Sequence, residues 1–182
     1  MIGVLVPAHN EEKVLGDCLR SLRDAARHPG LDGEAVCILV VLDACSDASE
    51  AVARAAGVEV LQVNARNVGQ ARRAGAEWLL QRGARWLACT DADSQVNHEW
   101  LVRQLAFEAE AVCGTVQVGD WSAHAPQVRR RYEAHYQSRE DHRHIHGANL
   151  GVCARAYRRA GGFRPLPSDE DMHRVRELER SG

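Results

Sequence analysis

Apolar and polar positions along the first half of the chain fall into short apolar runs that alternate with amphipathic stretches. Residues 2–6 read as a buried strand, and residues 11–27 as a helix with Val14, Leu15, Cys18, Leu19 and Leu22 on one face and Asn10 as its N-cap. Pro29-Gly30 and Asp32-Gly33 mark a loop before a second apolar strand at 36–42. A helix over 46–56, closed by Gly57, leads to a third strand at 58–63. Asn67 opens a helix running to 81, with Val68, Ala71, Gly75 and Leu79 inward; Gly83 ends it before a fourth strand at 85–90.

Repeated strand–helix alternation predicts an α/β fold, with a mostly parallel sheet flanked by helices on both faces. The rhythm then changes: a helix near 98–110, a strand near 111–118, a polar helix near 126–137, and a strand at 148–153 followed by a short helix and Gly161-Gly162-Phe163. With 182 residues, 45% of them hydrophobic, one well-buried core is expected and two comfortable domains are not. The expectation is a single domain, 1–95 forming a nucleotide-binding half and 96–182 an acceptor half.

A net charge of -2, with Arg129-Arg130-Arg131 as the only basic block, lacks the footprint of a nucleic-acid binder. The six cysteines form no Cys-x-x-Cys pair, which argues against a zinc ribbon and fits free thiols in a reducing cytoplasm. The longest apolar run, residues 35–42, is less than half a membrane span. Residues 1–6 run straight into Pro7 and charged residues, as a strand does and a signal peptide does not.

The candidate chemistry sits where the strands end. Asp43 follows directly on an apolar strand, and Asp91-Ala92-Asp93 ends the run Trp86-Leu87-Ala88-Cys89-Thr90. Open α/β sheets bind ligands at this end of their strands. In extended backbone Asp91 and Asp93 leave the same face and can converge on one hard divalent cation, magnesium or manganese, which completes its shell with water and phosphate oxygens. Asp-x-Asp after a strand is also a common polar turn, so the triplet alone supports both readings. Glu11 and Glu12 equally suit the first turn of a helix, where acids offset the dipole. His142, His144 and His146 would share one face of a strand, but no local thiolate or carboxylate completes a zinc set, so a place at an acceptor pocket suits them better.

Taken in order, these segments resemble the inverting nucleotide-sugar glycosyltransferases of family 2, which have the GT-A fold. Val6-Pro7-Ala8-His9-Asn10-Glu11-Glu12 is similar to the family's opening loop, and Val41-Leu42-Asp43-Ala44-Cys45-Ser46-Asp47 to its second loop, which usually reads Asp-Asp-Gly-Ser-x-Asp. Asn67 to Gly75 is similar to its third segment, Asp91-Ala92-Asp93 to its metal triplet, and Gly147-Ala148-Asn149, Gly161-Gly162-Phe163 and Glu170-Asp171 to its acceptor-side motifs. The resemblance implies nucleotide-sugar contacts from Pro7, Ala8, Asn10, Glu12, Asp43, Asn67, Arg72 and Asp91. It implies metal ligation by Asp93, with Asp91 as a ligand or a contact to ribose or metal-bound water. Acceptor contacts would come from His146 and Asn149. Asp171 would be the catalytic base, with Glu170 beside it, although Ser168 and the following acids would equally cap a helix. Arg72 or Arg73 would face the diphosphate, since only one of two adjacent helical residues can point inward.

The implied partners are a nucleoside-diphosphate sugar, a UDP-sugar being favoured, and an unknown hydroxyl acceptor. Relatives usually continue well beyond the Glu-Asp pair, so a short acceptor side is expected here. Gln-x-x-Arg-Trp, the mark of processive synthases, does not occur, which favours transfer of a single sugar. A sugar-phosphate nucleotidyltransferase would need a Gly-rich basic loop after the first strand, where Pro7 to Glu12 offers none. A catalytically weak nucleotide-sugar-binding protein would not need Asp91, Asp93 and Asp171 together. A dehydrogenase would need Gly-x-Gly-x-x-Gly after that strand.

Overall fold

The computed structural model of the chain describes residues 1–119, 121–122, 125–135 and 147–163. Six strands form one mixed sheet: β1 (Ile2–Ala8), β2 (Val36–Asp43), β3 (Glu59–Val63), β4 (Trp86–Cys89), β5 (Ala111–Cys113) and β6 (Leu150–Cys153). Their spatial order is β3-β2-β1-β4-β6-β5. The first four strands are parallel, and β6 runs antiparallel to both β4 and β5.

The helices are α1 (Leu15–Ala26), α2 (Ser49–Ala55), α3 (Val68–Gln81), α4 (Trp100–Ala106), α5 (Pro126–His135) and α6 (Ala154–Arg159), and α1, α2 and α4 cover one face of the sheet while α3 and α6 cover the other. Successive strand residues point to opposite faces, so β1 and β2 each feed two cores. Ile2, Val4, Val6, Ile38, Val40 and Leu42 pack with α1, α2 and α4, whereas Leu5, Leu39 and Val41 pack with α3 and α6. Burial on both sides explains why these strands are continuous apolar runs. On α3, Gly75 is required by close approach, because a Cβ there would lie 2.3 Å from Leu5 Cδ1 and 2.6 Å from Val41 Cγ2.

The chain steps outward from β1 to β2 and β3, then crosses back to β4 on the other side of β1. The carboxyl ends of β1 and β4 therefore flank a topological switch point, the crevice in which such sheets hold ligands. Pro7 is accommodated there inside a central strand. The Leu5 carbonyl accepts the Thr90 N–H, so the N–H position of residue 7 also points toward β4, and β4 pairing has already stopped at Leu5 and Cys89. The missing donor removes no ladder bond.

Several expected boundaries shift. The first helix starts at Leu15, and Asn10 is not its cap: Asn10 has φ 57° and accepts from the Ser46 N–H instead. Val68 is exposed on the first turn of α3 and does not face inward. The strand expected over 111–118 is only Ala111–Cys113, and Gly147–Asn149 forms a 3-10 turn ahead of β6.

Candidate active site

The loops after β1 and β2 are stitched together. His9 Nδ1 lies 2.6 Å from the Asp43 carbonyl, and a carbonyl can only accept, so the Nδ1 position carries the proton. Asn10 Oδ1 accepts from Ser46 N–H at 2.8 Å, and the Cys45 thiol bridges the Ala8 carbonyl and the Asn10 N–H. Glu12 Oε2 accepts from the Ala48 N–H, while the Glu12 N–H donates to Asp47 Oδ2, each at 2.9 Å. Pro7 and Ala8 lie buried at the base of this double loop.

Asp43 is 5% exposed. Its Oδ1 accepts from the Ala65 and Arg66 N–H groups at 2.7 and 2.8 Å, and its Oδ2 from the Asn67 N–H at 2.8 Å. One carboxylate thus fixes the whole turn that leads into α3. Asn67 then caps that helix, its Oδ1 accepting from Gln70 N–H at 2.9 Å.

From α3, Arg72 points inward and Arg73 outward. Arg72 is 4% exposed and its Nη2 lies 2.5 Å from Asp91 Oδ1, whereas Arg73 pairs with Glu77 on the surface. The Arg72 guanidinium lies against Gly147, where a Cβ would come within 2.4 Å of it. Three separated motifs, the third segment, the acidic triplet and Gly147-Ala148-Asn149, meet at this guanidinium.

Ala92 is buried in the core on the α1 side, while Asp91 is half-exposed and Asp93 exposed beside it. The Cys18 thiol donates to the Asp91 carbonyl at 3.4 Å. Burial first, then the charges of Asp93 and Asp91, push this thiol up to about 12, so it is protonated at neutral pH. Glu11 joins the same electrostatic field: burial, then Asp93 and Asp47, raise its carboxyl above the ordinary value, His9 opposes them, and Asp91 adds a smaller push.

This concentration of carboxylates fits a hard divalent cation. Arg72 pairs with Asp91, and the Asp93 charge acts on Glu11 to raise its carboxyl. Among the described residues no cluster of three or more His, Cys, Asp or Glu side chains could hold a metal ion. Asp93 is the freer carboxylate and Asp91 the one tethered to Arg72.

Asn149 has a different setting from the other expected contacts. Its Oδ1 accepts from Trp100 Nε1 at 2.8 Å and Gln104 Nε2 at 3.4 Å, and its Nδ2 donates to the Thr115 carbonyl at 3.0 Å. Gln104 in turn accepts from Trp86 Nε1 at 3.0 Å. The side chain knots α4, β4 and the segment after β5. His146, Glu170 and Asp171 lie outside the described residues, as do His142, His144 and Ser168.

Sequence reasoning gave Glu11 no role in the site and placed Cys18 only on an apolar face. No local signal separates Glu11 from Glu12; their difference arises from the turn that directs one toward Asp93 and the other toward Ala48.

Residues 3–161 match the sequence profile of Glycosyl transferase family 2. The chain belongs to this family. No curated protein sequence matches it significantly. Among solved structures, this family 2 domain is similar to S. aureus TarS 1-349 in complex with UDP-GlcNAc, with a TM-score of 0.73 and 17% identity over 99% of this chain and 53% of that one. It is also similar to the mannosyltransferase PcManGT from Pyrobaculum calidifontis in complex with GDP-Man and Mn2+ (TM-score 0.71, 17% identity, 97% and 51% covered). A third is M. tuberculosis glucosyl-3-phosphoglycerate synthase with Mn2+, UDP and glucosyl-3-phosphoglycerate (TM-score 0.67, 19% identity, 100% and 66% covered). These likenesses show the expected GT-A fold. The chain spans about half the length of the TarS fragment and of PcManGT. No helix among the described residues is long and apolar enough to cross a membrane.

Proposed function

We propose that this domain transfers a sugar from a nucleoside diphosphate, UDP being favoured, to a hydroxyl acceptor with inversion, assisted by manganese or magnesium. The observation that carries the reading is the meeting of Arg72, Asp91 and Asp93 at the carboxyl ends of β1 and β4. It puts one buried cation and two acids at a switch-point crevice, which suits a diphosphate and its metal. Complexes of the structural neighbours with UDP-GlcNAc, or with GDP-Man and Mn2+, support the same ligand class.

In this reading the loops after β1 and β2 bind base and ribose, with Pro7, Ala8, Asn10, Glu12 and Asp43 shaping the slot and Asn67 lying at the start of α3. Asp93 would hold the cation, and Asp91 would ligate it or contact ribose or metal-bound water. The bound ion would supply Lewis-acid stabilisation of the charge left on the departing nucleotide. Asp171, flanked by Glu170, would take the proton from the acceptor hydroxyl, and His146 and Asn149 would serve the acceptor side. Six free thiols suit a reducing cytoplasm.

Thermal-shift measurements with UDP-, GDP- and TDP-sugars, each with and without manganese, test the reading, because a ligand bound only by the native state raises the melting temperature. A manganese-dependent rise with one nucleotide is expected; no rise with any would overturn it. Asp93→Asn is expected to remove the manganese-dependent part. Asp171→Asn is expected to keep binding and lose transfer, and full transfer by that variant would remove the base assignment.

A further inference from the structure

The side of α1 facing the acidic triplet carries two polar groups one turn apart. Cys18 is 1% exposed and its thiol donates to the Asp91 carbonyl at 3.4 Å. Ser21 Oγ accepts from the Val96 N–H at 3.0 Å and donates to the Cys18 carbonyl at 2.8 Å. The two contacts hold opposite ends of the segment 91–96, and between them Ala92 is sunk to 3% exposure in the α1-side core. With Ala92 anchored and both ends tied, the backbone that carries Asp91 and Asp93 is held against α1. Its one internal backbone bond, Ser94 N–H to the Asp91 carbonyl at 3.1 Å, converges on the oxygen that Cys18 also holds.

We infer that Cys18 and Ser21 are positioning residues for the divalent-cation site, a brace on α1 that fixes where the Asp93 carboxylate stands. The inference rests on the proposed function. Neither side chain reaches the ligand; both act through the backbone that carries Asp91 and Asp93. Groups that orient metal ligands from behind typically change metal affinity about 10–100-fold when removed. A contact made through backbone belongs at the lower end of that range.

The test titrates manganese alone into the purified protein and follows the free-ion signal by electron paramagnetic resonance, beside thermal unfolding of each variant. Cys18→Val with Ser21→Ala keeps the apolar packing and removes both contacts; its manganese affinity is expected to fall about 10-fold. Cys18→Ser, which keeps a donor, is expected to retain most of the wild-type affinity. Ser21→Ala alone, at a half-buried position, is the variant to judge if the double substitution does not fold, and a measurable weakening is expected from it. Folded variants that bind manganese as tightly as wild type would overturn the brace while leaving the proposed function standing. Wild-type protein that binds no manganese would also overturn the brace, while the nucleotide-sugar thermal shifts decide the proposed function separately.

Discussion

Arg72 Nη2 and Asp91 Oδ1 are 2.5 Å apart, joining a 4% exposed side chain on α3 to a 39% exposed one after β4. The unequal burial decides what breaking the pair does. Arg72→Met keeps most of the buried stem and removes the fork, and Asp91 can turn to water. The expected loss is about 1.5–3 kcal/mol, the range for a hydrogen bond to a charged group, read as a lower urea midpoint with unchanged slope. Arg72→Lys is not expected to restore it, since an ammonium lacks the planar fork lying against Gly147.

Gly147 gives the complementary prediction. An added methyl would stand 2.4 Å from the Arg72 guanidinium, a side-chain end already pinned by Asp91. Gly147→Ala is expected to destabilise by about 1–3 kcal/mol, the usual range for overpacking. In the Arg72→Ala background the methyl enters vacated space, so most of that loss should vanish. A double-mutant cycle showing simple additivity would contradict the contact.

The meeting of Arg72, Asp91 and Gly147 also shows how far the sequence carries. The alternation of apolar runs and amphipathic stretches places the parallel strands; β1 and β2, buried on both faces, leave long apolar runs, while β3, partly exposed, reads as a shorter alternating stretch. Short antiparallel elements are harder to read: Val116 and Val118 alternate with polar residues as in a half-buried strand, yet only Ala111–Cys113 pairs with β6. That one of Arg72 and Arg73 turns inward follows from helix geometry, but which one depends on the phase of α3 against the sheet, set by Ala71, Gly75 and Leu79. Asp43 was legible as a carboxylate at a strand end; its three backbone partners at residues 65–67 were not, because they come from a later loop.

Those three donors make Asp43 a stability prediction. In Asp43→Asn one oxygen becomes an amide that cannot accept, so at least one of the Ala65, Arg66 and Asn67 N–H groups loses its partner. A loss of about 1–3 kcal/mol is expected from the orphaned donor. Faster amide hydrogen exchange at residues 65–67, with exchange in β1 unchanged, would locate the damage.

Asn149→Leu should hurt the fold itself. It strands Trp100 Nε1 and the Thr115 carbonyl and weakens the setting of Gln104. Two lost partners predict destabilisation of about 2 kcal/mol or more. The check is calorimetric unfolding with the near-ultraviolet signal of Trp86 and Trp100. A variant as stable as wild type would free Asn149 for a role confined to the acceptor.

Glu110 predicts a pH dependence far from the crevice. Its carboxylate is gripped by Arg159 and by Arg155, the latter at 2.6 Å, tying the approach to β5 to α6. The Arg159 and Arg155 hydrogen bonds pull its pKa down to about 2, against about 4.3 for a free glutamate. The folded state therefore binds the proton less readily than the unfolded chain. The contribution is fully present above the unfolded value and is lost as pH falls through that value toward 2. Glu110→Gln removes it. The gap in melting temperature between wild type and this variant should be small, constant above about pH 5, and narrower at each step from there toward pH 3. A gap that stayed constant over that range would mean the ion pairs with Arg155 and Arg159 contribute nothing to stability.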